Sequence, residues 1–232
     1  MEPPGPYPGA LMSQTDGSPI LRIDLWADVV CPACYVGDNR LQRAIAESEH
    51  SDRIDLVLHA FELHPDTPDE IVDNSEVLAA MMGATVAEVE VGEESFARVA
   101  RADGLPFSIR RGHRNTKRIH RVIKLAQSYG VAVPLMDAVQ RAAFAGEYEA
   151  FSEAFLIDTA AGLGVPEDEV RETVDGERFS DEVEQDRAAA LRLGARGVPF
   201  AVFDGRFAVP GAATVEGYRQ AIDQAWGAEA SR

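Results

Sequence analysis

Two cysteines stand close together in Cys31-Pro-Ala-Cys34, and the sequence contains no others. A dithiol exchanges electrons with a disulfide by thiolate attack, so one sulfur has to be exposed and reactive. Pro32 suits the first turn of a helix, whose N-terminus would stabilise a thiolate at Cys31. We therefore predict Cys31 as the exposed attacking thiol and Cys34 as the buried resolving thiol, with Pro32 and Ala33 supporting them.

Two other interpretations of the pair stay open. Both residues could be ordinary buried cysteines, a common fate of free Cys. They could also share a metal ion with His59 or His64, although the spacing matches no zinc template. A strand followed by C-x-x-C and a helix favours redox chemistry over both.

A second signal lies far along the chain, at Val198-Pro199. Proline lacks the N–H that a central strand requires, so this residue predicts a special position at the entry of a strand. We predict a cis Val198-Pro199 bond that places the backbone of Val198 beside the sulfurs, to hold a substrate in extended form. An edge-strand proline is the alternative.

Three further side chains are candidates for the site. Asp28 precedes Cys31 by three residues and could relay a proton, or it could be a helix-capping or solvated acid. His120 is predicted as a hydrogen-bonded, half-buried imidazole, with proton transfer as the alternative. His64, next to Pro65, is predicted to line the site, where its positive form would stabilise the Cys31 thiolate.

The elements around these residues follow from hydrophobic periodicity. Alternation predicts strands early and late in the chain, and helical patterns fill the region between them, with roughly six helices. The predicted strands are 21–30, 53–61, 198–204 and 206–209, and helices are predicted from Pro32 and over 214–226. This order predicts an α/β thioredoxin-like fold with a large all-α insertion.

The same patterns divide the chain. Residues 1–19, rich in Pro and Gly, are predicted as a disordered tail. Residues 20–65 and 195–232 form the predicted thioredoxin-like domain, and 66–194 the helical insertion.

Charge and hydropathy exclude several classes of protein. The 22 basic and 39 acidic residues give a net charge of −17, which argues against nucleic acid and anionic membranes as partners. No leader or spanning segment is apparent, so we predict a cytoplasmic protein, in which a permanent disulfide is disfavoured. The basic run 110–121 is either a solvated helix face or a surface that attracts anionic thiols such as glutathione.

Several motifs together carry a family resemblance, namely Asp28–Gly37, Phe61–Asp66, Asn115–Thr116, His120–Arg121, Gly197–Phe200 and Val209–Gly211. With these, residues 21–226 resemble the DsbA-like family of FrnE type. The resemblance implies a thioredoxin domain with a helical lid, and disulfide oxidation, reduction or isomerisation as the activity. It assigns Cys31 as the attacking thiol, Cys34 as the resolving thiol and Pro199 as the cis-proline. Separately, we predict that Val198, His64, Asn115 and His120 contact the substrate.

The resemblance also brings alternatives. Ala33 stands where family members often have Trp. The related 2-hydroxychromene-2-carboxylate isomerases and kappa glutathione transferases act on small aromatic compounds with glutathione, generally with Ser in place of the first Cys. Because this chain keeps both sulfurs, electron exchange with protein or small-molecule thiols and disulfides is favoured. A non-catalytic binding module is the third interpretation. No cofactor is expected beyond glutathione as a co-substrate, and a homodimer is compatible with the sequence.

Overall fold

A central mixed sheet organises the molecule. The computed structural model describes residues 20–229; the predicted tail, residues 1–19, lies outside them. Within this range four strands pair in the order β2-β1-β5-β6. These are β1 (Leu21–Ala27), β2 (Ile54–Ala60), β5 (Phe200–Phe203) and β6 (Phe207–Pro210). The first and last parts of the chain therefore share one sheet.

Pairing in the sheet follows the predicted alternation. β1 runs parallel to β2, with Leu21 opposite Ile54, and β5 pairs antiparallel with both β1 and β6. β1 ends three residues before the predicted limit, because the apolar residues Val29 and Val30 belong to a turn and not to the strand. In that turn the N–H of Cys31 donates to the carbonyl of Asp28 at 3.3 Å.

Helices cover the sheet. The first helix, α1 (Pro32–Ala46), packs against the last, α9 (Val215–Glu229), and α8 (Ser180–Arg192) packs against β1 and β2. Six other helices lie between β2 and α8 along the chain: α2 (Asn74–Met82), α3 (Val86–Ala102), α4 (Lys117–Ser128), α5 (Ala132–Ala145), α6 (Glu153–Gly162) and α7 (Glu167–Asp175). In the range 20–229 no helix is long and apolar enough to cross a lipid bilayer.

The middle of the chain is not entirely helical. Two-residue strands, β3 (Val72–Asp73) and β4 (Gly112–His113), pair antiparallel and close a loop around α2 and α3. The predicted fold class, a thioredoxin-like α/β fold with a helical insertion, is confirmed, and these two short strands are the exception within the insertion. Two residues are too few to produce an alternating pattern.

Candidate active site

Cys31 lies where the turn after β1 meets α1. Its backbone is extended, as at a helix N-cap, and Pro32 is the first helical residue, as predicted. The backbone N–H of Cys34 donates to Cys31 Sγ at 3.4 Å. Since N–H groups in the first turn of a helix have no intrahelical partner, the sulfur takes the place of the usual hydroxyl or carboxylate cap.

Both sulfurs lie beneath the surface. Cys31 is 4% exposed and Cys34 is fully buried. The expectation of an exposed Cys31 was wrong, because Cys31 belongs to the main apolar core and Val198 packs against that core. Pro32 and Ala33 remain partly exposed. Burial, together with the neighbouring Cys31 and the negative charge of Asp38, raises the pKa of the Cys34 thiol well above its ordinary value.

The Val198–Pro199 segment lies against the sulfurs. Its peptide bond is cis, and the Val198 carbonyl oxygen is 3.7 Å from Cys31 Sγ. Pro199 is buried immediately before β5, a central strand, so the edge-strand alternative was wrong. A Cβ added to Gly37 of α1 would lie 2.8 Å from Cγ of Pro199. The absence of a side chain at Gly37 thus lets the proline ring sit directly on the helix that carries both cysteines.

Asp28 and His120 form a buried pair under this site. Asp28 is fully buried; its Oδ2 accepts from the Leu63 N–H at 2.7 Å, and its Oδ1 lies 3.2 Å from His120 Nε2. Burial alone would raise the pKa of Asp28, but hydrogen bonds and charge from His120, with Leu63 and Thr116, lower it overall. The solvated-acid alternative for Asp28 was therefore wrong. His120 is hydrogen-bonded as predicted, but at 2% exposure it is more than half-buried.

The family model of the DsbA-like thioredoxin domain matches residues 22–223. The chain belongs to this family. A solved structure described as a probable DsbA oxidoreductase from Streptomyces coelicolor is 36% identical, with a TM-score of 0.82, and the match covers 89% of this chain and 90% of that one. No curated protein matches the chain significantly.

More distant structures share the fold. The cytosolic disulfide reductase DsbM from Pseudomonas aeruginosa, solved with GSH, has 18% identity and a TM-score of 0.60 over 90% of this chain and 98% of its own. A 2-hydroxychromene-2-carboxylate isomerase has 15% identity and a TM-score of 0.62 over 90% of this chain and 98% of its own. The DsbA-like fold therefore accommodates enzymes described as reductases and as isomerases.

Two predicted substrate contacts of this DsbA-like chain, Asn115 and His64, also make contacts within the chain, and their role toward substrate stays a prediction. The amide of Asn115 bonds to two backbone groups: Nδ2 donates to the Pro65 carbonyl at 2.8 Å, and Oδ1 accepts from the Lys117 N–H at 2.9 Å. His64 is partly buried, with its ring 5.7 Å from that of His113. Burial lowers the pKa of His64 despite the negative charge of Asp28. The neutral imidazole is thus favoured, contrary to the positive His64 expected beside the thiolate.

Acidic side chains neutralise the basic run. The pairs are Arg110 with Glu90, Arg111 with Glu93, Arg114 with Asp69, Lys117 with Glu184, Arg118 with Asp69 and Glu153, and Arg121 with Glu177. Arg111, Arg114 and Arg121 are themselves buried. Because these cations form ion pairs within the protein, the basic run is neither a simple solvated helix face nor a free surface for anionic thiols.

His59 is also engaged in the fold. Its ring nitrogens lie 2.7 Å from Asp24 Oδ1 and 3.1 Å from Asp186 Oδ1, and its ring stacks on Trp26. Among residues 20–229 no group of three or more His, Cys, Asp or Glu side chains is arranged to hold a metal ion.

Two polar residues near the site were not identified as candidates by the sequence analysis. Asp38 is buried on α1 beside Gln140, and His113 is buried with Nδ1 3.0 Å from Asn74 Oδ1. Burial lowers the pKa of His113 to about 4, so it is neutral at physiological pH. For Asp38 a signal was present: it lies four residues after Cys34, on the same face of the predicted helix.

Proposed function

We propose that this DsbA-like protein is a thiol–disulfide oxidoreductase or isomerase that works through a mixed disulfide on Cys31. The observation that carries the proposal is the position of Cys31 at the N-terminus of α1. There its sulfur accepts a hydrogen bond from the Cys34 N–H and lies beside the Val198 carbonyl. Residues at a helix N-terminus are suited to hold a thiolate, the nucleophile in disulfide exchange.

The proposed reaction begins with attack of the Cys31 thiolate on a substrate disulfide. One substrate sulfur leaves as a thiolate and the other becomes bonded to Cys31. Cys34, three residues further along α1, then attacks Cys31 Sγ and releases the second substrate thiolate. The substrate disulfide gains two electrons and the Cys31–Cys34 pair loses them. In the opposite direction the same steps oxidise a dithiol.

Val198 and the burial of Cys31 bear on the substrate. The Val198 carbonyl oxygen lies 3.7 Å from Cys31 Sγ, which supports the proposal that Val198 aligns an extended chain next to the sulfur. Because Cys31 is 4% exposed, small disulfides and flexible peptides reach it with less rearrangement than a folded protein would. We propose these as the first substrates to test, with glutathione as co-substrate. DsbM, described as cytosolic and solved with GSH, supports glutathione and a cytoplasmic location; a homodimer stays a prediction.

The test uses reduction of glutathione disulfide and of an unfolded disulfide peptide, coupled to a dithiol donor. We expect Cys31→Ser to lose activity by roughly a hundredfold or more, since the nucleophile is gone. Cys34→Ser retains the first attack and accumulates a mixed disulfide on Cys31, which intact-protein mass spectrometry detects. Full activity in Cys31→Ser, or no activity in the unmodified protein, would contradict the proposal.

A further inference from the structure

Asp38 is a buried carboxyl group with a hydrogen-bond partner on only one of its two oxygens among residues 20–229. It is 2% exposed, and Gln140 of α5 donates Nε2 to its Oδ2 at 3.1 Å. Its Oδ1 is buried without a hydrogen-bond partner among residues 20–229. Burying a carboxyl oxygen without a hydrogen-bond partner destabilises the folded state. A buried acid of this kind is therefore a candidate for a functional role.

The position of Asp38 relates it to the resolving cysteine. Asp38 follows Cys34 by four residues on α1, a spacing that places their Cβ atoms roughly 5–6 Å apart on one helix face. The charge of Asp38 contributes to the raised pKa of Cys34. Burial first, and Asp137 in addition, raise the pKa of Asp38 to about 8 despite the hydrogen bond from Gln140. Both groups are therefore buried, and each has a pKa above its ordinary value.

Other ionisable groups around Asp38 come from each helix packed on it. Asp137 lies on α5, and Tyr218, whose pKa is raised by burial and by Asp38, lies on α9. Arg40, also on α1, is held in an ion pair with Asp103 at 2.6 Å. The nearby cations Arg40 and Arg141 are paired with Asp103 and Asp137, and within residues 20–229 no cation forms an ion pair with Asp38, which favours its exchange of a proton with Cys34.

Asp28, the other acid near the cysteines, is poorly suited to the same task. Its two oxygens are occupied by Leu63 N–H and His120, and its pKa is lowered overall. A carboxylate with a lowered pKa is a weak base.

We propose that Asp38 accepts the proton of Cys34 when Cys34 resolves the mixed disulfide on Cys31. The inference rests on the proposed function. The Cys34 thiol gives its proton to the Asp38 carboxylate, and the resulting thiolate attacks Cys31 Sγ. The Cys31–Cys34 bond forms as the bond from Cys31 to the substrate sulfur breaks, and the substrate leaves as a thiolate. In the reverse direction Asp38 returns the proton to Cys34.

The two chemical steps can be followed separately with a chromogenic aromatic disulfide whose released thiolate absorbs visible light. Attack by Cys31 on the reagent releases the first thiolate, and attack by Cys34 on the mixed disulfide releases the second. In stopped-flow measurements from about pH 6 to pH 10, we expect the rate of the second phase to rise with ionisation of Asp38 and level off above its pKa of about 8.

Asp38→Asn removes the proton acceptor but keeps the shape of the side chain. We expect the second phase at about pH 8 to slow by tenfold or more, with an unchanged first phase. Asp137→Asn, which changes a neighbouring acid on α5, should retain the levelling second phase. Unaltered far-UV circular dichroism and melting temperature of Asp38→Asn will establish that the variant is folded.

The outcomes distinguish the two proposals. If Asp38 acts on Cys34 only through its charge, the second phase in Asp38→Asn becomes faster, because the pKa of Cys34 falls when that charge is removed; this overturns the inference. An unchanged second phase also overturns it. Absence of the first phase in the unmodified protein instead overturns the proposed function.

Discussion

At the scale of single residues, the buried Asp28–His120 pair links the two parts of the chain. Asp28 follows β1, and His120 lies 92 residues further along, on α4. Both side chains are buried, and Asp28 also binds the backbone after β2 through Leu63. Removing one member of such a buried pair leaves the other without its partner, a costly state.

We expect Asp28→Asn to lower the free energy of unfolding by about 3 kcal/mol at pH 7, because the charge that His120 binds is lost. Urea denaturation followed by circular dichroism measures this change. Asp52→Asn, at an exposed acid, should stay within about 0.5 kcal/mol of the unmodified protein.

The pH dependence gives an independent check. The pKa of Asp28 is lowered on folding, so its stabilisation is present above the unfolded value of about 3.9 and is lost as the pH falls through the folded pKa. The difference in stability between the unmodified protein and Asp28→Asn should therefore narrow below about pH 4. A difference that does not depend on pH would contradict this account.

At the scale of elements, close packing between α1 and the segment before β5 holds the site together. Gly37 is the point of contact, with room for no side chain between α1 and Pro199. The carbonyl of Pro199 also accepts from the Gly211 N–H at 2.8 Å, which joins the start of β5 to the end of β6.

Gly37→Ala should destabilise the fold by about 1–3 kcal/mol, since the new methyl group would overlap Pro199 and crowd Ala212. Gly92→Ala is the matched control: Gly92 lies in α3 with no atoms near the added Cβ, and alanine there should stabilise by about 0.5–1 kcal/mol. Thermal or urea unfolding of both variants measures the contrast. Equal effects at the two positions would argue against close contact at Gly37.

His59 holds α8 against the sheet. It joins Asp24 of β1 to Asp186 of α8, and only a protonated ring can donate to both carboxylates at once. Burial alone would lower the pKa of His59, but the two acids raise it overall. The pKa values of Asp24 and Asp186 are lowered, so both stay ionised above about pH 4.

We expect His59→Gln to lose about 1.5–3 kcal/mol of stability near pH 5.5, the value of a hydrogen bond to a charged group. A raised folded pKa gives stabilisation that is complete below the unfolded value of about 6.5 and is lost as the pH rises through the folded one. The loss caused by the substitution should therefore shrink toward pH 9. Urea unfolding at the two pH values tests this, and a larger loss at pH 9 would refute it.

At the scale of the whole molecule, local signals were readable from the sequence, whereas most side-chain pairings between distant segments were not. The start of α1 at Pro32 and the capping box of Thr85 and Glu88 were predictable, because caps act within one turn. The contact of Asp28 with His120 joins distant segments and leaves no periodic pattern. The proximity of Val198 to Cys31 was predicted, but the burial of Cys31 was missed, because the exposed fraction of a side chain depends on all the neighbours packed around it.

The net charge acts on the stability of the whole molecule. The net charge is −17, and the cations of the basic run are already paired with acids inside the helical region. The remaining acids repel one another, which opposes the compact state. Exposed ion pairs contribute only about 0–1 kcal/mol each, so their screening by salt is the smaller effect.

Raising NaCl from about 0.01 M to about 0.1 M at pH 7.5 shortens the Debye length from about 30 Å to about 10 Å. We therefore expect the urea midpoint to rise over this range, because repulsion among the acids is screened. Near the pI of 4.6 the net charge vanishes and only attractive pairs remain to be screened, so the same salt step should leave the midpoint unchanged or lower it. A midpoint that falls with salt at pH 7.5 would mean that ion pairs such as Arg111–Glu93, and not the net charge, dominate the electrostatics of the fold.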